Sequence, residues 1–159
     1  MSVRVGLGFD VHRLKPGDGL PIGGVKVPCE FAFVAHADGD PLLHALVDAL
    51  LGAAGTGDIG EHFPDTDPRW KDADSRTFVE TARRIVEETG MSISNVDANV
   101  FCEKPKLGKL KRDMEQRMAD MLRIDPDRVN VKAKTLEALG PVGASEAVAA
   151  QVVVLLVKT

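Results

Sequence analysis

The first twelve residues constrain the fold more than any other stretch. Val3, Val5, Leu7 and Phe9 alternate with Arg4, Gly6, Gly8 and Asp10, and a period of two marks a strand whose faces meet different surroundings. One face is apolar. The other carries Gly6 and Gly8, which leave room, and then Asp10 and His12, two residues apart and so projecting together. Asp40 offers an N-cap and Pro41 a first residue for a helix with Leu42, Leu43, Leu46, Val47, Leu50, Leu51 and Ala54 at helical spacing. Gly55 and Gly57 end it, and His44 falls one turn inside. Asp10, His12 and His44 form the three-ligand set typical of a catalytic zinc with one position left open. Packing or capping accounts for the same imidazoles, because Asp-x-His pairs are common.

The remaining pattern alternates strands and helices without a linker. Lys15 to Gly24 is a Gly- and Pro-rich loop or hairpin turn, and Gly24 to Val27 a short strand. Gly57 to Lys71 is polar and punctuated, hence a loop. Asp74 or Ser75 caps a helix through Phe78, Val79, Ala82, Ile85 and Val86 that stops at Gly90. Val96 to Glu103 reads as a strand, Leu107 to Leu122 as a helix, and Val129 to Thr135 and Ala147 to Val157 as closing strands. This predicts an α/β (α+β) chain, a sheet with helices layered on it, in one domain over residues 1–159. The run Val152 to Val157 is apolar without interruption and needs cover on both faces.

Composition excludes several classes. A net charge of -4 and 4% aromatic residues, with no Tyr, give neither a pull toward nucleic acid nor a stacking surface. Val152 to Val157 is too short to span a bilayer. Cys29 and Cys102 lack metal-ligand spacing, and two thiols without a secretory signal predict a reducing, cytoplasmic setting with no disulfide.

Other residues carry chemistry at loop–element junctions. The positive end of the helix dipole favours a neutral, metal-binding His44, and Asp48, one turn later, either orients it or is solvated. His36, in the loop Ala35 to Asp40, either meets an anion at the helix N-terminus or caps the surface. The acidic loop Gly57 to Asp67 supplies acceptors for polyol hydroxyls, or simply turn formers. Lys106 can meet a phosphate or lie solvated. Lys132 to Glu137 places a hydroxyl, cations and a carboxylate suited to a hard metal at a strand end.

Taken in order, Gly8 to His12, Ala35 to Asp40, His44 to Ala53 and Gly57 to Asp67 resemble the 2-C-methyl-D-erythritol 2,4-cyclodiphosphate synthase family from the first strand to the last. The resemblance implies a homotrimer with a mixed β-sheet, helices on its outer side and active sites between subunits. It implies cyclisation of 4-diphosphocytidyl-2-C-methyl-D-erythritol 2-phosphate with release of CMP, in non-mevalonate isoprenoid synthesis. Asp10, His12 and His44 match the zinc ligands, and Glu137 the carboxylate for magnesium or manganese. His36 and Thr135 match the residues that position the reacting phosphates, with Ala37 beside them. Asp58, Ile59, Gly60, Phe63, Pro64, Asp65, Thr66 and Asp67 match the methylerythritol contacts. Cys102, Glu103, Lys104, Pro105, Lys106, Leu107 and Gly108, with Ala133 and Lys134, match the cytidine-diphosphate pocket of the neighbouring subunit. Two departures stand out: Ala37 replaces a usual Ser, and Gly140 to Ser145 lacks the family's Phe and Arg on the trimer axis. Neither touches the metal set. A zinc phosphohydrolase and a non-catalytic cytidine-nucleotide-binding trimer are the other readings of these residues.

Overall fold

The computed structural model of the chain describes residues 2–159. Five strands form one sheet in the order β4-β1-β7-β5-β6: β1 (Val3–Pro16), β4 (Phe31–Val34), β5 (Met91–Phe101), β6 (Val129–Lys134) and β7 (Ala147–Lys158). β2 (Leu20–Ile22) and β3 (Val25–Val27) form a separate hairpin. The sheet is mixed: β5 and β6 are parallel, joined through α4 (Lys111–Leu122), and the other pairs are antiparallel. The remaining helices are α1 (Pro41–Ala54), α2 (Ile59–His62), α3 (Ser75–Glu88) and α5 (Gly140–Gly143).

Helix α1 is the centre of the core. Leu42, Leu43, Leu46, Val47, Leu50 and Leu51 are at most 1% exposed, so the helix is covered on every side but the line of His44, Asp48 and Gly52. Its seat on the sheet depends on two glycines. A Cβ on Gly6 would stand 1.8 Å from the Ala49 carbonyl oxygen, and one on Gly8 1.8 Å from that of Ala45. Strand and helix backbones thus touch, with the small residues Ala45, Ala49 and Ala53 facing the contact. Asp40 then fixes the helix N-terminus. Its buried carboxylate accepts from Leu43 N (3.0 Å), Gly23 N (2.9 Å) and Gly24 N (2.8 Å), tying α1 to the β2–β3 turn. Burial pushes that carboxyl up to about 6, although the three backbone N–H groups favour its charged form. Gly55, left-handed at φ 72°, closes the other end.

The helices cover one face of the sheet. Val152, Val154 and Leu156 of β7 are buried beneath them. On the opposite face Val3, Val5, Leu7, Phe9 and Val11 are 50–66% exposed and Val153 is 41% exposed. The apolar run of β7 therefore has one face covered within the chain and one bare.

Several bounds differ from the sequence reading. β1 runs on to Pro16, because its far end pairs with β4, a four-residue edge strand too short to give a periodic signal. β5 starts at Met91, before Val96; Met91 and Ile93 are buried in alternation with Ser92 and Ser94, but a register shift between Ile93 and Asn95 breaks the period of two that Val96 then resumes. The loop expected over residues 57–71 contains α2, capped by Asp58, and a 3-10 turn Pro68–Trp70, capped by Asp67.

Gly8→Ala is expected to push α1 off the sheet and lower stability by about 1–3 kcal/mol, as overpacking does. Gly52→Ala, where a Cβ meets nothing within 4 Å, is expected to raise it by about 0.5–1 kcal/mol through helix propensity. Urea titrations of the two variants check both signs.

Candidate functional site

The contact at Gly8 brings the first turn of α1 over the second half of β1. There Asp10 Oδ2 lies 2.7 Å from His12 Nε2 and 3.4 Å from His44 Nδ1, and the two ring nitrogens are 3.3 Å apart. It is the one group of three or more metal-capable side chains among the described residues. A tetrahedral zinc with bonds of ~2.0–2.1 Å requires ligand atoms roughly 3.3 Å apart. Two of the three separations match that value, and the third is closer. Asp10 Oδ2 is also buried without an aligned hydrogen-bond donor, so three lone-pair atoms face a common point. The donor set therefore fits a divalent cation.

Charge in the triangle is strongly biased. Burial alone would raise the Asp10 carboxyl, but the two imidazoles more than offset it and hold it below its ordinary range. Burial likewise disfavours protonated His12, yet Asp10 prevails and raises that ring's value. A cation in the triangle would meet the same carboxylate and would compete with a proton for the His12 nitrogen.

His44 is oriented from behind. Its Nε2 lies 2.7 Å from Ser75 Oγ. That hydroxyl makes a very short hydrogen bond to Asp38 Oδ1, and Ser75 N donates to Asp38 Oδ2 at 2.8 Å. A carboxylate can only accept, so the hydroxyl donates to Asp38 and accepts from His44. The proton is thereby assigned to Nε2, leaving the Nδ1 lone pair for the metal. Asp48 does not take this role: it accepts from Ile59 N at 2.8 Å and anchors α2. Ser75 and Asp38 were legible in the sequence only as a helix cap and a loop acid, since nothing local relates them to His44.

A cleft of about 370 Å³ opens beside the triangle. Of the sequence candidates, His12, His44, His36, Ala37, Ile59, Gly60, Phe63, Pro64 and Asp65 line it, and Trp70 and Phe78 join them unanticipated. The aromatics form its wall, with Phe63 4.4 Å from Phe78 and edge-on to Trp70 at 5.3 Å between centroids. His36 reaches the Asp67 carbonyl at 3.3 Å and so ties its loop to this wall. Asp58, Thr66 and Asp67 are not among the lining residues. Asp58 caps α2, and Asp67 is engaged by Arg69 at 2.7 Å, which holds its carboxyl below the usual range.

A second cleft, of about 190 Å³, is lined by Cys102, Glu103, Lys106, Leu107, Gly108, Ala133, Lys134 and Thr135, together with Lys111. Three lysines against one carboxylate suit a phosphorylated ligand. Lys104 and Pro105 form the turn behind it, accepting from the Cys102 thiol at 3.3 and 3.5 Å. Burial pushes that thiol up to about 12, so it is not a nucleophile. Glu137, two residues beyond Thr135, is in a left-handed conformation with φ 52°, and among the described residues it joins no cluster of metal ligands. The two clefts share no lining residue; His36 and Thr135 are in different ones.

Comparison with known proteins agrees with this arrangement. The YgbB family model matches residues 3–157. The 2-C-methyl-D-erythritol 2,4-cyclodiphosphate synthase of Solibacter usitatus is 49% identical over 157 residues, covering 99% of each chain. Among solved structures, the Plasmodium falciparum IspF in a CDP complex aligns with TM-score 0.88 and 34% identity, over 99% of this chain and 97% of that one. The bifunctional IspDF of Campylobacter jejuni aligns with TM-score 0.91 and 39% identity, over 99% of this chain and 43% of that one. The chain belongs to the YgbB family, that of the 2-C-methyl-D-erythritol 2,4-cyclodiphosphate synthases.

Ser75→Ala removes the acceptor that orients His44 while leaving all three ligands in place. We expect zinc affinity to fall about 10–100-fold, the usual effect of losing such a partner. His44→Ala should lose most bound metal. Competition with a chromogenic chelator, backed by elemental analysis, measures both.

Proposed function

We propose that this chain cyclises 4-diphosphocytidyl-2-C-methyl-D-erythritol 2-phosphate to 2-C-methyl-D-erythritol 2,4-cyclodiphosphate and releases CMP, as a phosphorus–oxygen lyase of non-mevalonate isoprenoid synthesis. The observation that carries the reading is the Asp10–His12–His44 triangle, with its tautomer assigned, at the edge of an aromatic-walled cleft. The whole chain acts as one cyclodiphosphate synthase domain in the cytoplasm.

In the reaction the 2-phosphate oxygen attacks the β-phosphorus, and the bond from that phosphorus to the CMP oxygen breaks. Both partners are anionic, so the difficulty is bringing them together. Asp10, His12 and His44 would hold zinc, and Glu137 magnesium or manganese; these cations supply charge that offsets the repulsion. His36 and Thr135 position the phosphates. The loop of residues 58–60 and 63–67, of which Ile59, Gly60, Phe63, Pro64 and Asp65 line the cleft, would hold the methylerythritol, while the segments 102–108 and 133–135, which form the second cleft and the turn behind it, would hold the cytidine diphosphate. Lys106 and Lys134 neutralise its phosphates. No protein nucleophile is needed, consistent with the inert Cys102 thiol. Ala37 donates its backbone N–H only, in place of a hydroxyl.

The two clefts lie apart within one chain, and the apolar face of β1 and β7 is bare. Both features support a homotrimer in which the metal cleft of one subunit meets the cationic cleft of the next. Continuous apolar exposure of this kind marks a protein interface.

Mass analysis of products from the cytidyl substrate, with zinc and magnesium, tests the function. The cyclic diphosphate and CMP in equal amounts are expected; a linear diphosphate would instead mark a phosphohydrolase. For assembly, Leu7→Asp places a charge in the bare face. Light scattering is expected to show a shift from trimer to monomer, and activity should fall with it.

A further inference from the structure

At the other end of the sheet the C-terminal ends of α3 and α4 meet the start of β5 around a cleft of about 220 Å³. Three arginines line it: Arg83, Arg123 and Arg128. Arg83 is 5% exposed, and its Nε is buried without any hydrogen-bond partner. Its Nη1 bonds Glu87 at 2.5 Å, the one carboxylate in the lining. Among the described residues no acid lies within ion-pair distance of Arg123 or Arg128. Arg123 and Arg128, both exposed at the rim, thus have no acid partner, and Val86 and Leu122 form part of an apolar wall.

Charge compensation of helix ends is the alternative use of these arginines, because a cation is favoured at a helix C-terminus. It accounts for Arg123, which caps α4. It does not account for Arg83, which lies in the last turns of α3 but is buried, with an N–H left over. Buried donors without acceptors are rare in native proteins, and a buried Arg with further Arg side chains at the rim of the same cleft is a common means of holding a phosphate or similar oxyanion.

We propose that this cleft is an oxyanion site for a phosphate group, separate from the active site. Ser92 pairs with Val157, which pairs with Val3, whereas Asp10 is seven residues further along β1. At ~3.3 Å per residue that is about 23 Å along the strand. An anion here gives Arg83 Nε its acceptor and draws in Arg123 and Arg128.

The test uses inorganic phosphate and tungstate on the metal-loaded protein. Arg123 occupies a left-handed position, with φ 56°, where Gly is better suited, so the double variant Arg123→Gly/Arg128→Ala should fold at least as well as the parent. Crystals soaked in tungstate should show anomalous density within hydrogen-bond distance of Arg83. In solution at constant ionic strength, phosphate should raise the melting temperature of the parent. In the double variant the concentration needed for half that rise should be tenfold or more higher, with turnover unchanged. Tungstate absent from the cleft, or identical phosphate responses in parent and variant, would overturn the proposal. Loss of the cyclase reaction in both proteins would bear on the active site alone.

Discussion

Backbone-to-backbone contact between β1 and α1 is the constraint from which the rest of this structure follows. With Gly6 and Gly8 on the strand and Ala45, Ala49 and Ala53 on the helix, the two elements close to a distance that no Cβ permits. The leucines of α1 then reach the buried face of β7 on one side and the later helices on the other. The same approach places His44 within 3.4 Å of Asp10. Core and metal triangle are thus two results of one packing event, and loosening it would damage both.

Around the triangle, each polar group is positioned by a neighbour that is itself held. Asp38 receives both the backbone N–H and the hydroxyl of Ser75. Ser75 in turn receives His44, and Asp40 secures the helix that bears His44. Preorganisation of this type matters for reactions between anions, since the cost of gathering charge is met during folding rather than during turnover. The aromatic wall of Phe63, Phe78 and Trp70 lowers water access to the same side of the site.

Charge is divided between the clefts. One combines acids and imidazoles that attract cations, and the other combines lysines that attract phosphates. Neither alone matches a substrate with a diphosphate bridge between a polyol and a nucleoside. The assembly proposed above is the arrangement that lets one ligand meet both, and the bare apolar face of the sheet is the surface available to drive it.

The strand–helix order, the three metal-capable residues and the lysine-bearing turns were legible in the sequence, because each depends on local periodicity, capping chemistry or spacing. α1 is an example: Asp40, Pro41, the leucine pattern and Gly55 define it without reference to anything distant. β4 was not legible, since four residues at a sheet edge carry too little pattern, and the start of β5 was hidden because a register shift at Ile93/Asn95 puts Met91 and Ile93 out of phase with the alternation from Val96 onward. For Asp48, one turn along the helix, the sequence left open whether it orients His44 or is solvated; it does neither and instead accepts from Ile59 N. Tertiary structure chose Ser75 and Asp38 instead, residues 31 positions after and six before His44, because the packing of α3 beside α1 brings that hydroxyl to Nε2. A sequence determines which chemistry each residue can offer. Which lone pair faces which proton is decided only when the packed elements bring the groups within hydrogen-bond distance.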